Sequence, residues 1–217
     1  MSSENRKAWD HWAKEDPFWH IAHAKDEVEF VESGKAVIAK HFARFIEPLS
    51  EGSRMLDIGC GLGRLTHQAS LVNSKVQCFG VDVSDEMIRQ ANARQPNAPN
   101  LVFLRGDGVG LGMFVDGYFD LVMSYVVFQH LPTAVFEAYI AEAARVLKAN
   151  GHFVFQVQFD AAKLGQKTTL PESDFRTIRY YSDAELTEMV SPHLNVVKVA
   201  STKGKDRAHD VMVVARK

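Results

Sequence analysis

Apolar residues in the first part of the chain recur at helical spacing. Residues 3 to 15 carry Ala8, Trp9 and Trp12 in this way, and Lys25 to Ile46 carry Val28, Val31, Ile38, Phe42 and Phe45, so two helices are predicted. Asp16-Pro17-Phe18-Trp19 separates them, because a residue before proline avoids the α region. From Ser53 onward short apolar runs alternate with helical stretches. Strands are predicted near 53–58, 76–82, 101–105, 119–124 and 151–158, with helices near 63–72, 85–94 and 133–148. This alternation predicts an α/β chain with a mostly parallel sheet covered on both faces. After a polar stretch ending at Arg179, Ser182 and Glu185 stand in the places of a capping box and open a short helix. Two final strands, near 194–201 and 209–215, flank the charged loop Lys203-Gly-Lys-Asp-Arg207 and are expected to pair as an antiparallel hairpin.

The run Met55-Leu-Asp-Ile-Gly-Cys-Gly-Leu-Gly-Arg-Leu-Thr66 reads as a buried strand, a glycine turn and the opening of a helix. Glycines at 59, 61 and 63 permit positive φ and let a ligand lie against main-chain atoms. Asp57 would repel a pyrophosphate, and Arg64 stands where a dinucleotide fingerprint needs its third glycine. A cationic ligand is therefore expected. S-adenosylmethionine, with a sulfonium and an ammonium group, meets that demand better than a nicotinamide or flavin dinucleotide. The second strand, Val76-Gln-Cys-Phe-Gly-Val-Asp82, ends in an acid at about the distance at which a carboxylate holds a ribose diol. The third strand leads to Asp107 in Leu101-Val-Phe-Leu-Arg-Gly-Asp-Gly108. One ligand lying across three strand ends would place Asp57 near the methionine moiety, Asp82 at the ribose and Asp107 near the adenine amine. Each acid also has a simpler reading as the cap of the element that follows.

These residues carry a resemblance to the class I S-adenosylmethionine-dependent methyltransferases, and Trp9-Asp10, Asp16-Pro17 and Trp19, together with Val127-Phe-Gln-His130 and Phe153-Val-Phe-Gln156, look like a bacterial subgroup acting on small molecules. The similar segments are Leu56-Asp-Ile-Gly-Cys-Gly-Leu-Gly63, Gly80-Val-Asp-Val-Ser-Asp-Glu-Met-Ile88, Gly106-Asp-Gly108, Phe119-Asp-Leu-Val-Met-Ser124 and Ala144-Arg-Val-Leu-Lys-Ala-Asn-Gly151. The resemblance implies a single Rossmann-like domain with a seven-stranded sheet at 49–217, preceded by a helical lid or cap at 1–48. It implies a cofactor site made of Asp57, Gly59, Cys60, Gly61, Gly63, Asp82, Val83, Met87, Gly106, Asp107, Gly108, Ser124 and Tyr125, with Trp12 contributed by the lid. The implied reaction is transfer of a methyl group to a small molecule, with oxygen the leading acceptor and nitrogen and sulfur open. The Asn/Asp-Pro-Pro-aromatic run usual in enzymes that methylate nucleobase amines or protein amides is replaced here by Ser124-Tyr-Val-Val-Phe128. A non-catalytic S-adenosylmethionine-binding subunit is the alternative.

With 217 residues, 46% of them hydrophobic, the chain can bury one substantial core. No apolar run approaches the ~20 residues of a membrane span, and Met1-Ser-Ser-Glu-Asn-Arg-Lys lacks a secretory signal, so a cytoplasmic location is expected. A formal charge of −2, with basic residues spread among acids, argues against nucleic acid as partner. Cys60 and Cys78 lack companions at metal-ligand spacing, and no metal is expected. The chain is expected to act as a monomer or homodimer.

His130 follows the fourth strand in a loop that should face the transferred methyl, and an imidazole accepts protons near neutrality, which makes it the candidate general base. Capping the next helix is its other reading. His20 and His23 are spaced for a metal but have no completing ligand, so a hydrogen-bonded surface role is the simpler reading. Trp9, Trp12, Phe18 and Trp19 could form a lid over a sulfonium or could anchor the helix. Gly165 to Tyr181, with Lys167, Arg176, Arg179, Tyr180 and Tyr181, could grip an anionic substrate or form a solvated loop, and Gln129, Gln156 and Gln158 could add neutral donors.

Overall fold

Alternating residues on each strand sort the core into two layers. In the computed structural model, which describes residues 3–95, 98–159, 178–202 and 209–217, strands β1 (Arg54–Ile58), β2 (Gln77–Asp82), β3 (Leu101–Arg105), β4 (Phe119–Tyr125), β5 (Leu147–Phe159), β6 (Asn195–Thr202) and β7 (His209–Arg216) form one sheet in the order β3-β2-β1-β4-β5-β7-β6. Leu56 and Ile58, Phe79 and Val81, Phe153 and Phe155, and Val211 and Val213 face one layer. Their neighbours Met55, Cys78, Val154 and Met212 face the other. This is the period of two that a strand imposes, with both faces buried as a parallel sheet requires.

Helices α7 (Thr133–Val146) and α8 (Asp183–Val190) cover the first face through Phe136, Ile140, Ala143, Leu186 and Val190. The second face is covered by α5 (Arg64–Val72) through Leu65 and Ala69, and by Ile38, Phe42 and Ile46 of the amino-terminal region. Helix α6 (Asp85–Arg94) packs Ile88 and Ala91 against Cys60 and Phe103.

Strands β1 to β5 are parallel. Strand β7 runs antiparallel to both of its neighbours and lies between β5 and β6, so the antiparallel strand sits one place in from the edge. The capping box of α8 forms as expected: Glu185 N–H donates to Ser182 Oγ at 3.2 Å and Ser182 N–H donates to Glu185 Oε2 at 2.7 Å.

The amino-terminal region is more broken than its apolar period predicts. Helix α1 (Ser3–Glu15) is followed by a short α2 (Pro17–Ala22), and the long helix divides into α3 (Glu27–Val37), a π-helical turn at Ile38–Phe42 and α4 (Ala43–Ile46). Pro17 both ends α1 and starts α2, since its missing N–H costs nothing in a first turn, and Asp16 caps that turn by accepting from Trp19 N–H at 3.1 Å. Strand β5 begins four residues earlier than its apolar run, because Leu147 already pairs with Phe119. No helix among the described residues is long and apolar enough to cross a membrane.

Candidate active site

Strands β1, β2 and β4 end on one side of the sheet, and the chain leaving each of them contributes to a single cavity. The turn from β1 to α5 is bound to the end of β2: Gly59 and Cys60 N–H donate to Val81 O at 2.8 and 3.1 Å, and Gly61 N–H donates to Asp82 Oδ2 at 2.9 Å. The three turn glycines have φ of 75°, 53° and 77°. At Gly63 a β-carbon would also lie 2.6 Å from the Phe103 ring, so this glycine lets α5 start close against β3.

Asp82 accepts Ser84 N–H at its other oxygen, at 2.9 Å. Each oxygen keeps acceptor capacity after one such bond. Asp57 is only 2% exposed and takes the Thr66 hydroxyl at 2.7 Å. Burial raises its pKa from 3.8 to about 7, against the opposing effect of the Thr66 hydrogen bond and the nearby Arg64 cation. Burial raises Asp82 as well, against its backbone hydrogen bonds. Two desolvated acids in the wall of one cavity favour a ligand that brings positive charge and hydroxyl donors. S-adenosylmethionine fits that donor set, with its ammonium at Asp57 and a ribose diol at Asp82.

The cavity wall includes Asp57, Gly59, Cys60, Gly61, Asp82, Val83, Met87, Gly106, Gly108, Tyr125 and His130 of the residues expected from sequence. Gly63, Asp107, Ser124 and Trp12 lie outside it. Gly63 packs on Phe103, as above. Asp107 is exposed, and its Oδ1 accepts Val109 and Gly110 N–H at 2.9 and 3.0 Å, closing its own loop. Ser124 is fully buried and donates to Ile58 O at 2.9 Å, tying β4 to β1 beneath the cavity. Trp12 stacks on His20 with ring centroids 4.8 Å apart, and Trp9 reaches the wall in its place.

Several wall residues carry no sequence signal for this position. Ile21, Leu65, Val127, Leu131 and Tyr139 are apolar or aromatic residues whose helical or strand spacing announces only burial. Arg64 lines the wall, although from sequence it served only to argue against a dinucleotide. His20 also lines it, while His23 turns to pack on Trp19 at 5.0 Å, so the two histidines serve different places. Among the described residues no group of three or more His, Cys, Asp or Glu side chains is placed to hold a metal ion.

His130 closes a 3-10 turn, Phe128–His130, and its ring lies 6.1 Å from that of Trp9. The loop leading to it is strained. Val126 has φ of 60°, a left-handed conformation that a β-branched residue rarely adopts, and is held there by donating its N–H to the buried Gln156 Oε1 at 2.9 Å. Such strain is stored where surrounding structure fixes a loop, and here it sets the approach of Val127 and His130 to the cavity.

The amino-terminal helices reach the cavity through Trp9, His20 and Ile21. Asp10 fixes α1 to the start of α6: its Oδ1 accepts Ser84 Oγ–H at 2.6 Å and Glu86 N–H at 3.1 Å. Trp9, Phe18 and Ile21 pack with Leu62 and Met87. Of the segment Gly165 to Tyr181, residues up to 177, with Lys167 and Arg176, lie outside the described residues, as does the loop Lys203 to Arg207. Tyr181 packs on Phe136 and is buried in the main core, and Arg179 N–H donates to Gln129 O at 2.9 Å.

A family model described as a methyltransferase domain matches residues 56–155, which span the glycine turn, both buried acids and the His130 loop. The 27-O-demethylrifamycin SV methyltransferase of Amycolatopsis mediterranei is 30% identical over 143 residues, covering 63% of this chain and 51% of that protein. The malonyl-(acyl-carrier protein) O-methyltransferase of Methylococcus capsulatus is 28% identical over 114 residues, covering 52% of this chain and 40% of that one. The chain thus spans about half the length of these curated relatives or less. Among solved structures the cyclase SpnF superposes with a TM-score of 0.75 over 100% of this chain and 96% of that one at 14% identity, a likeness of fold alone. With the buried acids, the turn and the sheet order in the places these motifs require, residues 56–155 form a methyltransferase domain similar to those of the class I S-adenosylmethionine-dependent methyltransferases.

Proposed function

We propose that the protein transfers a methyl group from S-adenosylmethionine to a small-molecule acceptor, with oxygen as the accepting atom. The observation that carries this reading is the pairing, in one cavity, of Asp57 and Asp82 with His130. The cofactor would supply an activated methyl on sulfur. Asp82 holds hydroxyls, Asp57 holds an ammonium, and Gly59 and Gly61 let Val127 and Ile21 pack close on the turn. Alignment of acceptor and methyl accounts for most of the rate in such a displacement, and well-oriented reactants can save roughly 7–11 kcal/mol of barrier. His130 takes a proton from a hydroxyl acceptor, while a carboxylate acceptor would need no base.

Residues 1–48 act in this reading as a lid. Trp9 and Ile21 exclude water, and the Trp9 ring face suits a cation. The names of the two curated relatives, a 27-O-demethylrifamycin SV methyltransferase and a malonyl-(acyl-carrier protein) O-methyltransferase, support oxygen over nitrogen or sulfur. The second reading is a non-catalytic S-adenosylmethionine-binding subunit, in which the cavity would be kept and methyl transfer would not.

The test is incubation with methyl-labelled S-adenosylmethionine and a panel of hydroxylated, carboxylated, amine and thiol acceptors, run beside calorimetry with S-adenosylhomocysteine. Label in a hydroxyl or carboxylate acceptor is the expected result. Saturable binding with label in none of the panel would favour the second reading, and label confined to amines or thiols would overturn oxygen.

A further inference from the structure

The loop after β4 is tied to the end of β5 by two glutamine side chains, each reaching into the other segment. Gln156, on β5, stands opposite Tyr125, the last residue of β4. Its Oε1 accepts Val126 N–H at 2.9 Å. Two residues further along β5 the N–H of Gln158 lies past the last rung that β4 supplies, and Oε1 of Gln129, from the loop, accepts it at 3.1 Å. Each segment thus satisfies a backbone donor of the other with an amide oxygen. Both glutamines are fully buried. Backbone N–H groups in such surroundings need an acceptor, and these two side chains complete a ladder that the strands themselves leave unfinished.

The Gln129 amide shows which of its atoms matters. Turning it over would set its NH2 against the Gln158 N–H, donor against donor. In the orientation it holds, Nε2 is buried with no hydrogen-bond partner among the described residues. An apolar side chain would avoid that unmet donor, so the oxygen is what the position requires. The main chain of Gln129 is engaged as well, since its O accepts Arg179 N–H at 2.9 Å. Three stretches of chain, at 126–130, 156–158 and 179, meet at this residue, and His130 is its neighbour.

The strain at Val126 shows what the tie does. With φ of 60° this β-branched residue sits in a conformation that an unconstrained loop would leave. A rotation there would swing the 3-10 turn Phe128–His130 and carry His130 out of the cavity wall.

We propose that Gln129 and Gln156 are positioning residues, a reciprocal clamp between the loop after β4 and strand β5 that holds Val126 left-handed and thereby sets where His130 stands. The proposal rests on the reading of His130 as the base and names what holds it in place. Gln156 fixes the start of the loop and Gln129 its end, so that the imidazole is presented by a rigid segment. A well-oriented group needs such support, because small displacements at a reacting centre are costly in rate.

Spectra of the full chain with carbon-13-labelled histidine test this, the His130 signal being assigned by its loss in His130→Gln. The intact protein should give one sharp imidazole signal for His130. In Gln156→Leu, which removes the acceptor of Val126 N–H, that signal should split or broaden away, while the affinity for S-adenosylhomocysteine stays within a few-fold. Adding Val126→Gly, which lifts the penalty on positive φ, should bring back a single signal at the original position. A His130 signal unchanged in Gln156→Leu would overturn the proposal, and so would a lost signal that Val126→Gly fails to restore, since Gln156 would then be an ordinary core residue. If Gln156→Leu does not fold, hydrogen exchange in the unaltered protein decides: the Val126 and Gln158 amides should exchange as slowly as the rungs of β4 and β5, and exchange of either at the rate of an exposed loop would sink the clamp. With a hydroxyl acceptor Gln156→Leu should lose about 10²-fold in kcat, the order expected for a misplacement of about 1 Å. A displaced His130 with kcat unchanged would uphold the clamp and overturn the reading of His130 as the base.

Discussion

In the proposed reading the cavity has a donor end and an acceptor end, and the two are built by different means. At one end Asp57, the glycine turn, Asp82, Val83 and Met87 come from a stretch of some thirty residues, and much of the surface they offer is main chain. At the other end Trp9 and His20 come from the amino-terminal helices and His130 from the loop after β4, more than a hundred residues later. The first end is dictated by turn geometry and buried charge, which tolerate few alternatives. The second is a meeting of side chains whose identities can change without disturbing the sheet. A fold that fixes its donor end and frees its acceptor end can serve one cofactor and many acceptors.

The largest effect that would sharpen this contrast is on His130. Replacing it by Gln keeps a polar side chain of similar reach but removes the proton acceptor. With a hydroxyl acceptor kcat should fall by about 10²–10⁴-fold, the usual contribution of a general base. The dissociation constant of S-adenosylhomocysteine, set at the other end, should hardly move. Steady-state kinetics with calorimetry on the same preparation check both. A variant with unchanged kcat would break the contrast, because the acceptor end would then shape the substrate without taking part in its chemistry.

The donor end contains its own comparison. Asp82 and Asp107 both follow buried strands and look alike in sequence, but Asp82 lines the cavity while Asp107 is exposed and spends its carboxylate on its own loop. Asp82→Ala should cost roughly 1.5–3 kcal/mol of cofactor binding, since hydrogen bonds to a charged acceptor are lost. Asp107→Ala should cost about 0.5 kcal/mol or less, as an exposed substitution away from a ligand does. Fluorescence titration of the two variants in parallel decides the matter. Similar losses for both would mean that the Asp107 carboxylate leaves its loop to meet the ligand.

That pair also shows what could be read from the chain alone. Strand ends and turns follow from period-two apolar runs and glycines, so the sheet, its order of acids and the capping box at Ser182 were legible. Asp82 and Asp107 both accept the backbone N–H two residues on, so whether a carboxylate at a strand end also lines a cavity depends on the packing around it, which the letters Gly-Asp-Gly do not specify. The same holds for Trp9 and Trp12, three apart on one helix, of which Trp9 lines the cavity and meets the His130 ring while Trp12 stacks on His20. Arg64 was visible as a departure from a dinucleotide pattern, but its partners Ser33 and Gly34 lie thirty residues away, and only the packing of α3 on α5 brings them together.

The smallest of the expected effects separates the two ends by pH. Burial places the Asp57 pKa at about 7, so below that pH the ligand-free protein holds a proton there that an unfolded chain would release above 3.8. The sign for folding follows: the folded state binds the extra proton, and this contribution to stability is present at low pH and is lost as pH rises toward 7. Ligand binding runs the other way. An ammonium beside Asp57 favours the ionised form, so binding below pH 7 must release the proton. The affinity for S-adenosylhomocysteine should therefore rise with pH, by no more than tenfold per unit, and level off above about 7 while the ligand's ammonium remains charged. Asp57→Asn has no proton to release, and its profile should be flat. Calorimetry from pH 5 to 8 in buffers of different ionisation enthalpy measures the released proton directly. A slope that survives in Asp57→Asn would move the titration to Asp82, whose pKa burial also raises, and with it the charge that senses the cofactor would shift from the ammonium to the ribose.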